Sequence, residues 1–139
     1  MTLVIDCSVT LAWYFENEST PATDAVLAQV EALGAVAPSL WRLEVANGLQ
    51  SALRRRRVTQ SFRNGVLEAL RRLNVEIDGE TDAQAWGATL ALADRFGLTP
   101  YDAADLELAI RRGLPLASLD RALRQAAGAV GVPLLGIAE

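Results

Sequence analysis

Five short apolar runs divide this chain, each separated from the next by at least one helix-length segment, and that alternation restricts the available folds more than any other feature. The runs lie at residues 2–5, 35–37, 75–77, 116–119 and 132–135, the first ending at Asp6. Strands joined through helices return to the same edge by crossovers, pair in parallel and are covered by helices on both faces. The expected class is therefore α/β, a three-layer α/β/α sandwich with a mostly parallel central sheet. Pro133 in the last run predicts a sheet edge.

The punctuation between the runs supports the same division. A helix is expected from Ser8, and Thr20-Pro21 opens another that stops at Gly34. Residues 39–56 hold good helix formers, Thr59 caps a helix reaching about Leu73, and Thr81 or Asp82 opens one ending near Gly97. Thr99-Pro100-Tyr101-Asp102 supplies a cap, a first-turn proline and an acid at the third helical position, and Gly113 with Pro115 closes that helix. A final helix starts near Asp120. With 139 residues and about half of them apolar, the chain is expected to form one domain over 1–139 around a single sizeable core.

What is missing removes whole chemistries. The sequence contains no histidine and no lysine, so all 13 basic residues are arginines. Histidine-based triads and RNA cleavage by histidine drop out, as do P-loops, Schiff bases and lysine-dependent phosphorylation receivers. Acid–base work falls to carboxylates, tyrosine or metal-bound water. The net charge of −4 means that nucleic acid would have to be held by a local basic patch. No run is long enough to cross a membrane and no signal peptide opens the chain, so a cytoplasmic protein without membrane contact is expected. The single cysteine, Cys7, reads as a small buried filler.

In a parallel sheet, ligands sit at the carboxyl ends of the strands, so the acids at that rim carry the functional argument. Asp6 ends the first strand, and Asp120 follows the fourth. Asp102 opens a helix that runs back antiparallel to the strands, which puts its first turn at the same rim. Glu44 lies about one turn into the helix after the second strand, with Asn47, Gly48 and Ser51 on its face as a small polar groove. Taken singly, Asp6 and Asp120 stand where helix N-caps stand, and Asp102 fits a capping box with Thr99. Taken together, four clustered carboxylates repel one another unless a cation joins them. An all-oxygen set suits Mg²⁺ or Mn²⁺, and the chemistry implied is hydrolysis of a phosphodiester.

With these residues assembled, the sequence resembles the PIN-domain nucleases, and within them the VapC-type toxins of bacterial toxin–antitoxin pairs. The resemblance spans essentially the whole chain. It rests on Val4-Ile5-Asp6-Cys7-Ser8, on Pro38 followed by Glu44-Val45-Ala46-Asn47, on Tyr101-Asp102-Ala103-Ala104 and on Leu116-Ala117-Ser118-Leu119-Asp120. It implies that Asp6, Glu44, Asp102 and Asp120 hold the metal and act in catalysis, with Ser118, Asn47 and Ser8 in support. It further implies RNA as substrate, a homodimer, and a VapB-like antitoxin that occupies the pocket. Asp105 departs from the pattern, standing where many such toxins carry an aromatic residue. One turn along from Asp102, it fits either an extra ligand or a solvated or water-bridged acid beside the pocket.

Arg54, Arg55, Arg56 and Arg57, with Arg71 and Arg72, offer a basic surface for RNA phosphates, or equally a solvated helix end that complements the helix dipole. Trp13, Tyr14 and Phe15 read as core and dimer contact, and Trp41 and Trp86 as core or interface. Other readings compete with the ribonuclease. A non-catalytic module could use the same acids to clasp a partner's arginine, and a structure-specific DNA nuclease could use the same metal chemistry. A phosphorylation receiver shares the rim of aspartates, but this chain lacks its lysine.

Overall fold

The computed structural model describes residues 2–138. Its elements in chain order are β1 (Val4–Ile5), α1 (Cys7–Ala12), α2 (Pro21–Leu33), β2 (Ala35–Ala37), α3 (Trp41–Arg54), α4 (Gln60–Arg71) and β3 (Val75–Ile77), then α5 (Thr81–Gln84), α6 (Ala88–Phe96), α7 (Pro100–Arg112), β4 (Leu116–Ala117), α8 (Arg121–Ala129) and β5 (Leu134–Leu135). All pairings in the sheet are parallel, in the order β3-β2-β1-β4-β5. The expected α/β sandwich is present, and β5, preceded by Pro133, forms one edge.

Alternation along the central strands builds the two cores. Leu3 and Ile5 point to one face of the sheet, where they join Val9, Val26, Val30, Trp41, Val45, Leu49 and Val66 from α1 to α4. Val4, between them, points to the other face and joins Val36, Leu106, Leu116 and Leu123 under α6 to α8. The period-two reversal of side chains is what lets one strand feed both layers.

Two expectations are corrected. The helix expected from about 82 to Gly97 is broken into α5 and α6, because the backbone leaves the helical conformation at Gly87, a residue with weak helix preference. The fourth strand ends at Ala117 instead of 119. Ser118 N–H still bonds the Leu135 carbonyl at 3.3 Å, and beyond it the backbone donors turn from strand partners to hydroxyls: Leu119 N–H bonds Ser8 Oγ at 2.9 Å, and Asp120 N–H bonds Ser118 Oγ at 3.0 Å.

The helix carrying Asp102 is pinned to the far side of the sheet by ions. Arg111, near the end of α7, donates to both oxygens of Asp78 (3.1 and 2.7 Å), to Glu107 and to Glu80. Arg112 reaches Asp78 and Glu76. Asp78, buried just after β3, also accepts from Thr81 at the start of α5. These bonds hold its carboxyl down at about 2, chiefly through Arg111.

Candidate active site

Asp6 is the fixed point of the acid rim. It leaves β1 in an extended conformation and caps α1, accepting the Val9 N–H at 2.9 Å. Ser8 Oγ lies 2.7 and 2.9 Å from its two carboxylate oxygens, and Ser118 Oγ donates to Oδ2 at 2.5 Å. Those two serines are the same groups that collect the amides of Leu119 and Asp120, so the ends of β1 and β4 are tied through Asp6. Cap and site member are therefore compatible roles for one residue.

A second tie orients α3. Thr10 donates to the Asp6 carbonyl at 2.7 Å and accepts from Trp41 Nε1 at 3.1 Å. Trp41 is the first residue of α3, so its indole sets the rotation of the helix three residues before Glu44. Of the two placements expected for Trp41 the structure shows the core one, and its bond to Thr10 is not evident from the residues around Trp41. A hydroxyl four residues after Asp6 was the available signal.

The remaining acids converge on this point. Glu44 is half-buried in the first turns of α3, and its carboxyl is pushed up to about 7 by burial, then by Asp102 and Asp6. Asp102 sits at the third position of α7, where Thr99 accepts its amide at 3.2 Å. Burial and the neighbouring Asp120 raise it, with Thr99 partly opposing. Asp120 caps α8 by accepting the Leu123 N–H at 2.8 Å and is the outer member of the group. Asp105 is 3% exposed, which corrects the reading of it as a solvated acid and leaves a ligand or a water-bridged acid, and burial together with Asp6, Glu44 and Asp102 raises it well above the usual carboxylate range. Asp6 itself is raised, its burial outweighing the Ser118, Val9 and Ser8 bonds.

Other residues fall differently. Cys7 is not fully buried: it borders the same cavity as Glu44, Asn47 and Tyr101, and burial plus the surrounding acids pushes its thiol up to about 12. Asn47 is exposed one turn after Glu44. The polar groove expected along α3 is interrupted, because a Cβ at Gly48 would stand 2.5 Å from Leu11 Cδ1; that glycine admits α1 against α3. Arg54 to Arg57 are all exposed at the opposite end of α3, ten residues or roughly 15 Å along the axis from Glu44. Arg57 lies over the Phe15 ring at 5.8 Å, and Trp13 is core, bonded to the Thr23 carbonyl. Trp86 is 92% exposed and not core. With Leu40, Leu90 and Tyr101 it walls a cavity of about 380 Å³ that reaches Glu44. Arg124 lies near Ser118 but is spent on the carbonyls of Ser118 and Leu135 (both 2.8 Å).

The donor set fits a hard divalent cation. Asp6, Glu44, Asp102, Asp105 and Asp120 are carboxylates, and among the described residues no arginine pairs with any of them; every ion pair lies elsewhere. No three acids or cysteines among the described residues stand in the tight grouping of a preformed metal cage. Mg²⁺ does not require one, since it keeps several waters and takes one or two carboxylates directly.

Comparison with known proteins agrees with this architecture. A model of the PIN domain matches residues 3–129. Ribonuclease VapC3 of Pyrobaculum aerophilum is 31% identical over 133 residues, covering 96% of this chain and all of that protein. Two solved structures share the fold. PAE2754 from Pyrobaculum aerophilum has a TM-score of 0.65 and 24% identity, covering 96% of this chain and 83% of its own. FitAcB from Neisseria gonorrhoeae has a TM-score of 0.61 and 15% identity, covering 96% of each.

Proposed function

The chain belongs to the PIN-domain family, and on that footing we propose that it is a metal-dependent endoribonuclease, the toxin of a toxin–antitoxin pair, acting as one nuclease domain. The observation that carries this reading is the convergence of unpaired carboxylates from four segments at one sheet rim. Mg²⁺ or Mn²⁺ would be held by Asp6, Glu44, Asp102 and Asp120, one or two of them directly and the others through its waters. Such an ion, when bound, supplies a water that is nucleophilic at neutral pH and offsets charge on the phosphodiester.

The chain's own residues prepare the site. Ser8 and Ser118 fix the Asp6 carboxylate, and Trp41 through Thr10 fixes the helix that presents Glu44. Because Glu44 holds its proton to about pH 7, cation binding must displace it, and affinity should rise between pH 6 and pH 8. Exposed Leu40, Leu43, Trp86 and Tyr101 line the two cavities that reach Glu44, an apolar border that suits a VapB-like antitoxin laid across the pocket. We further infer a homodimer working in the cytoplasm; no helix among the described residues is long and apolar enough to cross a membrane.

The test is cleavage of RNA, with single-stranded DNA in parallel, before and after chelation of divalent ions. Asp6→Asn and Asp102→Asn should each lose at least a hundredfold in activity while keeping the wild-type circular dichroism. Activity that survives the chelator would refute metal dependence, and preferential cleavage of DNA would refute the substrate.

A further inference from the structure

Among the described residues, every buried acid but one has hydrogen-bond partners. Asp78 is met by Arg111, Arg112 and Thr81, and Glu107 by Arg111. Asp6 is met by two hydroxyls and an amide. Asp105 is 3% exposed, on the inward side of α7, and among the described residues no hydrogen bond or ion pair reaches its carboxyl. Its charged surroundings are Asp6, Glu44 and Asp102.

An acid so placed is not packing material. Any apolar side chain would occupy the same space without the cost of desolvating a carboxyl among like charges. Nor are its oxygens sealed in, because no side-chain oxygen or nitrogen among the described residues is both fully enclosed and without a partner. The Asp105 oxygens therefore keep an opening, and the three acids around it identify that opening as the carboxylate rim. Hard cations take such oxygens directly or through their bound waters, and their charge removes the repulsion that otherwise opposes this arrangement.

We propose that Asp105 is a fifth carboxylate of the divalent-cation site, contributed from the turn of α7 that follows Asp102. The inference rests on the cation-dependent reading of the rim and can fail separately from it. Mn²⁺ is titrated into the full-length protein by calorimetry, with the spectrum of bound Mn²⁺ followed by electron paramagnetic resonance, for wild type, Asp105→Asn, Asp105→Ala and Asp102→Asn. Asp105→Asn should bind Mn²⁺ at least tenfold more weakly than wild type and change the bound-ion spectrum. Its melting temperature without added metal should stay the same or rise, while the increment on adding Mn²⁺ shrinks. If Asp105→Asn does not fold, Asp105→Ala decides by the same titration. Wild-type affinity in a folded Asp105 variant, with weakened binding in Asp102→Asn, would overturn the fifth ligand alone. Absence of Mn²⁺ binding by wild type would overturn the cation site and this inference together.

Discussion

Replacing Asp78 by asparagine keeps the shape of a buried side chain and removes the charge that Arg111 and Arg112 grip. The carboxyl is held at about 2 against an ordinary 3.8. At 1.36 kcal/mol per pH unit, that difference corresponds to about 2.4 kcal/mol of stability at neutral pH. Arg111 is about one-fifth exposed and keeps Glu107 and Glu80 in the variant, which reduces the expected loss to about 2 kcal/mol. For a chain of this size, that lowers the melting temperature by roughly 6–10 °C. The sign with pH follows from a depressed acid: the contribution is complete above about 3.8 and fades as pH falls towards 2. About half of the difference between the two proteins should remain at pH 3. Urea unfolding of wild type and Asp78→Asn at pH 7, 5 and 3 measures it. A difference that is the same at pH 7 and pH 3 would refute the argument, because the loss would then not come from the ionised carboxylate. The consequence for the site is mechanical, since Asp78 anchors the far end of the helix that carries Asp102 and Asp105.

Ser118→Ala removes the donor to Asp6 and the acceptor for the Asp120 amide, and should cost about 1–2 kcal/mol of stability and roughly ten- to a hundredfold in RNA cleavage; unchanged cleavage would show that Asp6 needs no such support. Because Glu44 is raised to about 7 from 4.5, the folded state binds its proton more tightly than the unfolded state, so metal-free stability should fall as pH rises through that window. Urea midpoints at pH 5 and pH 8 should show this fall in wild type and a smaller one in Glu44→Gln; equal falls would contradict the origin assigned to it. Substituting Arg54, Arg55, Arg56 and Arg57 together by glutamine should weaken RNA binding and flatten its salt dependence without moving the cleaved bond, with sizing chromatography confirming assembly. An unchanged salt slope would assign these arginines to a solvated helix end.

Local chemistry was legible in the sequence by itself. Strand period, helix caps and proline and glycine stops depend on near neighbours, which is why Thr20, Thr59 and Thr99 cap the expected helices and Gly113 closes α7 with a left-handed backbone. The same locality places Asp6, Asp102 and Asp120 at element ends, and a parallel sheet then brings such ends to one rim. What tertiary structure alone decided involves residues far apart in the chain. Arg111 meets Asp78 across 33 positions, Ser118 meets Asp6 across 112, and Trp41 reaches Thr10 from another helix. Gly48 reads as part of a polar stripe until Leu11 is packed against it. Asp105 and Trp86 show the limit from opposite sides, since burial belongs to the assembled layers and not to residue type: the acid is buried and the indole is left in water.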